Sequence, residues 1–130
     1  MNNKERYLKF IKDFNGIGIT DILNEFKMDL GTFYTSRYSL DNMQKITDEV
    51  KKQIKNLYQD IKNDEFILDT KEKNVSFVKD IKAIQLNKIC NELNIKKNSL
   101  YVCEASDSKY ELVIDEIKKQ LDDVYLKYST

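Results

Sequence analysis

Apolar residues recur at helical spacing along most of this chain, and two long stretches show the spacing most clearly. The first stretch contains Met43, Ile46, Val50, Ile54, Leu57 and Ile61, and the second contains Tyr110, Val113, Ile117, Leu121, Val124 and Tyr128. Because residues three and four positions apart share one face of an α-helix, each stretch predicts a long amphipathic helix. Proline is absent and glycine occurs only three times, so little in the sequence interrupts helices.

Shorter helices are predicted ahead of each long one. Apolar positions between Tyr7 and Phe14 predict a first helix that ends near Asn15 and Gly16, and Val75 to Ile81 repeat that pattern. Two short helical segments follow in each half, at residues 20–26 and 30–38 and again at 87–93 and 97–105. Thr20 and Asn87 are suitable N-caps, because a short side-chain oxygen accepts from a free backbone N–H. Each half is therefore predicted to contain four helices.

The two halves also resemble each other residue by residue. Residues 10–60 align without a gap on residues 77–127, and 15 of the 51 aligned pairs are identical, where roughly four are expected by chance. The sequence therefore predicts an all-α protein made by internal duplication, with tandem units at 1–62 and 75–130 and a linker at 63–74. The linker holds an apolar triplet, Phe66 to Leu68, which would pin one unit on the other or form an extended piece beside the second short helix.

The length of each unit indicates whether it can fold without the other. A unit of about 60 residues is only marginally able to bury a core, so the two units are expected to pack together. The apolar faces of the long helices would pair either within the chain or between the chains of a homodimer. No run of 18 apolar residues exists, and Met1 to Arg6 is polar, so we expect a soluble cytoplasmic protein that does not associate with a membrane.

The composition lacks the residues and motifs that most enzymes use, so we do not expect this protein to be an enzyme. Histidine is absent, which removes the commonest general base and the commonest zinc ligand. The two cysteines, Cys90 and Cys103, stand opposite Leu23 and Ser36, so the units share no disulfide or metal framework. No paired-carboxylate, nucleophile or glycine-rich phosphate motif is present. We expect no catalytic residues, no metal and no cofactor.

One stretch of each unit carries a more specific pattern. A helix-turn-helix needs apolar residues on its first helix, a turn that accepts left-handed backbone, an apolar residue after the turn and another about five positions on. In the second unit these places are filled by Ile89, Cys90, Asn94, Ile95 and Leu100, and in the first by Ile22, Leu23, Lys27, Met28 and Phe33. Asparagine suits the turn better than lysine. Residues 93–101 resemble the turn and recognition helix of phage-repressor and TetR-type regulators.

That resemblance implies binding of double-stranded DNA in the major groove. Its candidate DNA-binding residues are Lys88, Lys96, Lys97, Asn98, Ser99 and Tyr101 in the second unit, with Thr32, Tyr34, Thr35 and Arg37 in the first. Lysine binds phosphate or guanine and asparagine pairs with adenine, whereas the first set is less basic. The two units are therefore expected to be unequal, or only the second to bind. Tyr34 and Tyr101 would either contact the DNA backbone or cap the helical bundle.

Two functions fit these expectations. The first is a sequence-specific DNA-binding regulator. A compact stand-alone regulator of this kind resembles the products of phages and plasmids, and it would repress a mobile-element promoter or mark an origin or partition site. The second is a small phage- or plasmid-encoded interaction protein that binds and inhibits a host protein. Zero net charge and a sequence pI near 6.3 favour the second, since DNA-binding domains are usually basic. A basic face joining Lys88, Lys96 and Lys97 to Arg37 would favour the first.

Overall fold

The computed structural model describes residues 2–129, and this part of the chain forms eight α-helices and no strand. The helices are α1 (Asn3–Asn15), α2 (Ile19–Glu25), α3 (Leu30–Tyr34), α4 (Leu40–Leu57), α5 (Lys71–Lys82), α6 (Leu86–Glu92), α7 (Lys97–Tyr101) and α8 (Asp107–Tyr128). The all-α prediction is confirmed. Among residues 2–129, no helix is both long enough and apolar enough to cross a membrane.

The backbone repeats at the same 67-residue interval as the sequence. Helices α6 and α7 have the bounds of α2 and α3 shifted by that interval, and α8 begins where a shifted α4 would begin. Left-handed residues repeat as well, with φ of 56° at Lys27 and 55° at Asn94, and of 59° at Ser36 and 60° at Cys103. Each half therefore has the predicted order of four helices, while its origin by duplication stays a prediction.

Local interactions explain where several helices begin and end. Helix α1 begins with a capping box, in which Asn2 Oδ1 accepts from the Glu5 N–H at 2.8 Å. It ends at Asn15 as predicted, and the Gly16 N–H then donates to the Lys12 carbonyl at 2.9 Å. The second short helices are shorter than predicted, because Ser36 and Cys103 adopt left-handed backbone that an α-helix cannot continue through.

The prediction that Thr20 and Asn87 are N-caps is wrong. The N-caps are Gly18 and Gln85, and neither makes a side-chain capping bond. The apolar residues that follow them, Ile19 and Leu86, are buried in the core, so each helix starts early enough to include them. Thr20 and Asn87 consequently lie exposed on the first turn.

The first helix of each unit packs on the long helices of both units. Helix α1 contacts α8 as well as α4, and its counterpart α5 contacts α4 as well as α8. The apolar faces of the long helices are buried in this shared core, which includes Met43, Ile46, Val50, Ile54, Tyr110, Val113, Ile117 and Leu121. The predicted helical faces are therefore confirmed within the helices and are covered within one chain, except that α4 ends at Leu57, so Ile61 is buried but does not lie on that helix.

The segment between the units also belongs to the core. Phe66 lies 5.7 Å from Phe77 and 5.2 Å from Tyr125 between ring centroids, and Leu68 is buried, whereas Ile67 is 77% exposed. On the other side, Lys51 Nζ donates to the Phe66 carbonyl at 3.0 Å. The triplet thus joins α4 to α5 and α8, the first of the two arrangements considered. Helix α5 begins at Lys71, so residues 71–74 of the expected linker are helical.

Candidate helix-turn-helix interface

Helices α6 and α7 form the helix-turn-helix that the second unit's sequence predicts. Asn94 takes the left-handed conformation in the turn, and the Ile95 N–H donates to the Cys90 carbonyl at 2.9 Å. Ile89, Cys90, Ile95 and Leu100 are all buried, so the predicted apolar frame is confirmed. Burial raises the pKa of the Cys90 thiol, as expected for a small core residue.

Helix α7 is fixed to the long helix behind it by Tyr110. This side chain is fully buried on α8, and its hydroxyl donates to the carbonyl of Leu100 on α7. Burial raises the pKa of Tyr110 to about 12, so the hydroxyl keeps its proton. The equivalent residue of the first unit is Met43, which has no hydroxyl group to donate this hydrogen bond. The sequence pattern marked Tyr110 only as a core position.

This helix-turn-helix contains three lysines. Lys88 and Lys96 are exposed and Lys97 is half-buried, with its Nζ 5.4 Å from the centroid of the Tyr101 ring. Within residues 2–129, none of these three lysines lies within 4.0 Å of a carboxylate, whereas lysines elsewhere do form such ion pairs. Their charges are therefore available to an external anion. Asn98 is exposed beside them, and Ser99 is half-buried.

A groove runs between α6 and the start of α7. It has a volume of about 460 Å³, and its lining includes Asn87, Asn91 and Asn94 together with Lys96 and Lys97. All three asparagines are exposed, and amide side chains can donate and accept at base edges. Asn87 and Asn91 were missed as candidate site residues. Their spacing of four, which places both on one face of α6, was the signal that could have identified them.

The first unit repeats this geometry with the opposite charge. Asp21 and Asp29 occupy the positions of Lys88 and Lys96. Residues 19–35 contain one lysine and three acidic residues, a net charge of −2, while the matching residues 86–102 contain three lysines and one glutamate, a net charge of +2. The two helix-turn-helix segments are therefore alike in backbone and different in the ligands they would attract.

The polar candidates of the first unit are mostly occupied within the chain. Asp29 caps α3, accepting from the Thr32 N–H at 2.9 Å and from the Thr32 hydroxyl at 2.8 Å. The backbone bond, followed by the hydroxyl bond, lowers the pKa of Asp29 and keeps a negative charge at this turn. The hydroxyl of Thr35 donates to the Gly31 carbonyl at 3.0 Å. Arg37 is exposed, and no salt bridge involves it in the described part of the chain.

Tyr34 and Tyr101 lie where the two units meet. Both are half-buried, and each ring faces a lysine of the other unit's first helix: Lys79 Nζ lies 5.1 Å from the Tyr34 centroid and Lys12 Nζ 5.8 Å from that of Tyr101. Asn15 Nδ2 also donates to the Tyr101 hydroxyl at 3.4 Å. The sequence left two alternatives for these rings, contact with the DNA backbone or capping of the helical bundle, and the rings make packing contacts of the second kind. Tyr101 additionally links α1 to α7.

The two units therefore present unequal surfaces on similar arrangements of helices. The second combines uncompensated lysines with asparagines around a groove, and the first combines carboxylates with hydroxyls already bonded to the backbone or to Asp29. The chain matches no protein-family model, no curated protein and no solved structure.

Proposed function

We propose that this protein is a double-stranded DNA-binding regulator whose second unit contains the principal reading head. The observation that carries the proposal is the helix-turn-helix α6–α7, which contains Lys88, Lys96 and Lys97 with no carboxylate paired with them in residues 2–129. The whole chain has zero net charge, whereas residues 86–102 carry a net charge of +2, so the potential at this segment is locally positive.

The side chains around the groove divide into two roles. The lysine ammonium groups would bind phosphates, which sets affinity and its dependence on salt. Asn91 and Asn98 would reach base edges, where an asparagine amide pairs with the N6 and N7 atoms of adenine. Tyr110 and the left-handed Asn94 hold α7 in place for this contact.

The first unit contributes less to DNA affinity in this proposal. Asp21 and Asp29 would repel phosphates at the positions where the second unit has lysines. Arg37 remains available for one peripheral phosphate contact. A regulator with one strong and one weak head suits an imperfectly repeated site in a mobile-element promoter, an origin or a partition site, and it would act in the cytoplasm without a cofactor.

Salt-dependent DNA binding tests the proposal directly. We expect the double variant Lys96→Ala, Lys97→Ala to bind a duplex from its own upstream region more weakly than the wild type. The slope of log affinity against log salt should fall by about two, because each phosphate contact contributes about 0.9. Fluorescence anisotropy at several salt concentrations measures both quantities.

A matched control removes the same charge elsewhere. Lys45 on α4 and Lys62 after it are exposed, and neither is in a salt bridge within residues 2–129. The variant Lys45→Ala, Lys62→Ala should keep most of the wild-type salt slope. Equal loss in both double variants would mean that affinity depends on net charge alone, and unchanged binding by the Lys96, Lys97 variant would remove α7 from the interface.

A second candidate function is favoured by the first unit's surface. Phe26 is the C-cap residue of α2, with 40% of its surface exposed, and it lies beside Glu25 and near Asp29 in sequence. An exposed aromatic ring that is close in sequence to carboxylates suits a protein partner with a basic surface better than it suits DNA. Wild-type protein that binds no duplex even at low salt would favour this interaction role over the regulator.

A further inference from the structure

The ring of Tyr101 is in contact with two lysines that belong to different units. Lys12 lies in the last turn of α1, in the first unit, and its Nζ is 5.8 Å from the ring centroid. Lys97 is the first residue of α7, in the second unit, and its Nζ is 5.4 Å from the same centroid. Both distances are within the range of a cation–π interaction, so one ring holds two ammonium groups close to it.

The chain neutralises neither of these positive charges. Lys12 is exposed and Lys97 is half-buried, and in residues 2–129 no carboxylate lies within 4.0 Å of either ammonium group. Asp13, which follows Lys12 in the sequence, pairs with Lys9 at 2.7 Å instead. Two like charges that are held close together repel each other, and the phosphates of a DNA strand would relieve that repulsion by attracting both.

A hydrogen bond adds to the contact between the units at this point. Asn15, three residues after Lys12 on α1, donates from Nδ2 to the Tyr101 hydroxyl at 3.4 Å. The last turn of α1 is therefore in contact with α7 through two side chains. Because Lys97 is one of the lysines that bind phosphate in the proposed function, a DNA strand that reaches Lys97 also comes close to Lys12.

The first unit has the equivalent ring with one lysine fewer. Tyr34 is the counterpart of Tyr101, and Lys79 on α5 takes the place of Lys12, with its Nζ 5.1 Å from the Tyr34 centroid. The counterpart of Lys97 is the uncharged Leu30. Among the described residues, Tyr101 is thus in cation–π contact with two lysines and Tyr34 with one.

We propose that the DNA-binding surface of the second unit extends onto α1 of the first unit, where Lys12 binds a backbone phosphate next to the one bound by Lys97. This inference rests on the proposed function and extends it, because the principal reading head is then built from both units. Lys12 adds affinity without sequence preference, since a lysine contacts a phosphate as a point charge and phosphates carry no sequence information.

Salt-dependent DNA binding by Lys12→Ala tests the composite surface. We expect this variant of the full chain to bind about fivefold to tenfold more weakly at about 0.1 M salt, with the slope of log affinity against log salt lowered by about 0.9, because one phosphate contact is lost. The loss should be the same for the upstream duplex and for an unrelated duplex. Lys12→Arg keeps the charge and should keep the wild-type slope.

The equivalent lysine of the other unit is the matched control. Lys79 is exposed, lies in the last turn of α5 and faces a tyrosine, so Lys79→Ala removes the same charge from the same kind of helix end as Lys12→Ala. It should keep the wild-type slope. An equal loss of slope in Lys79→Ala would overturn the assignment of Lys12 to the surface of the second unit.

Chemical acetylation followed by mass spectrometry gives a direct reading on the wild type. Duplex DNA at low salt should protect Lys12 from acetic anhydride and should leave Lys79 as reactive as in the free protein. Unchanged reactivity of Lys12, or a wild-type slope in Lys12→Ala, would overturn the inference while the Lys96, Lys97 variant still reports on the proposed function. Wild-type protein that binds no duplex would remove the proposed function and this inference together, so the two failures are distinguishable.

Discussion

The same left-handed turn is built from two different residues in this molecule. Lys27 and Asn94 have nearly identical φ values, 56° and 55°. Their N–H groups donate to the backbone carbonyls of Asn24 and Asn91 at 3.0 and 3.2 Å, respectively. Asparagine tolerates this conformation, whereas a lysine in it is strained. The sequence identified Asn94 as a turn residue and Lys27 as a poorer one, and the backbone shows that both take the same shape.

Exchanging these residues should therefore change stability in opposite directions. We expect Lys27→Asn to stabilise the protein by about 0.5–1 kcal/mol and Asn94→Lys to destabilise it by a similar amount. Urea unfolding followed by circular dichroism measures both. Stabilisation by both substitutions, or by neither, would mean that the strain at this turn is relieved by its surroundings.

Asp29 makes part of the stability dependent on pH. Its hydrogen bonds to Thr32 lower its pKa in the folded protein below the ordinary value of 3.8. A carboxyl whose folded pKa is lowered stabilises the fold above its unfolded pKa, and that contribution disappears as the pH falls through the folded pKa. We expect the stability difference between wild type and Asp29→Asn to be constant near neutral pH and to shrink below about pH 4. A difference that grows on acidification would contradict this assignment.

At the scale of the element, the helices follow from periodicity but their contacts do not. The long helices, the apolar frame of each helix-turn-helix and the end of α1 at Asn15 could all be predicted, because each depends on spacing or on a local turn. The starts of α2 and α6 could not, since burial of Ile19 and Leu86 decides them. The hydrogen bond from the Tyr110 hydroxyl to the Leu100 carbonyl could not be predicted either, because apolar spacing does not show where a hydroxyl points.

Reciprocal charge exchange tests how the two helix-turn-helix elements differ. Lys88 on α6 corresponds to Asp21 on α2, and both are exposed. We expect Lys88→Asp to weaken DNA binding about tenfold or more at low salt, because a phosphate contact becomes a repulsion. Asp21→Lys should change affinity much less if the first unit is the weaker head, as we propose. A comparable gain from Asp21→Lys would show that both heads approach the DNA.

At the scale of the whole molecule, the two units depend on each other. Because α1 packs on α8 and α5 packs on α4, neither unit encloses its own core. Thr47 and Asn74 add a buried polar link between α4 and α5, with the Thr47 hydroxyl donating to Asn74 Oδ1 at 2.8 Å. The sequence predicted that the units pack together, but the packing of each first helix on both long helices depends on long-range contacts that the repeat does not specify.

Dividing the chain should therefore abolish folding of the parts. We expect residues 1–62 alone to show no cooperative thermal unfolding by circular dichroism, since a unit of about 60 residues without its partner helices buries too little apolar surface. Mixing this fragment with residues 63–130 should restore helical signal and cooperativity. Cooperative unfolding of the first fragment by itself would mean that its core is complete without α5 and α8.

The packing of α1 on α8 also determines when folding can finish. Tyr7 on α1 donates to Glu111 on α8 at 2.7 Å, across 104 residues of sequence. Helical proteins usually fold fast because their contacts are local, but here α1 can complete its packing only after α8 has been synthesised. Until α8 emerges from the ribosome, α1 therefore lacks the long helix of the second unit that covers it in the folded protein, and the apolar face of α1 stays partly exposed to other chains during synthesis.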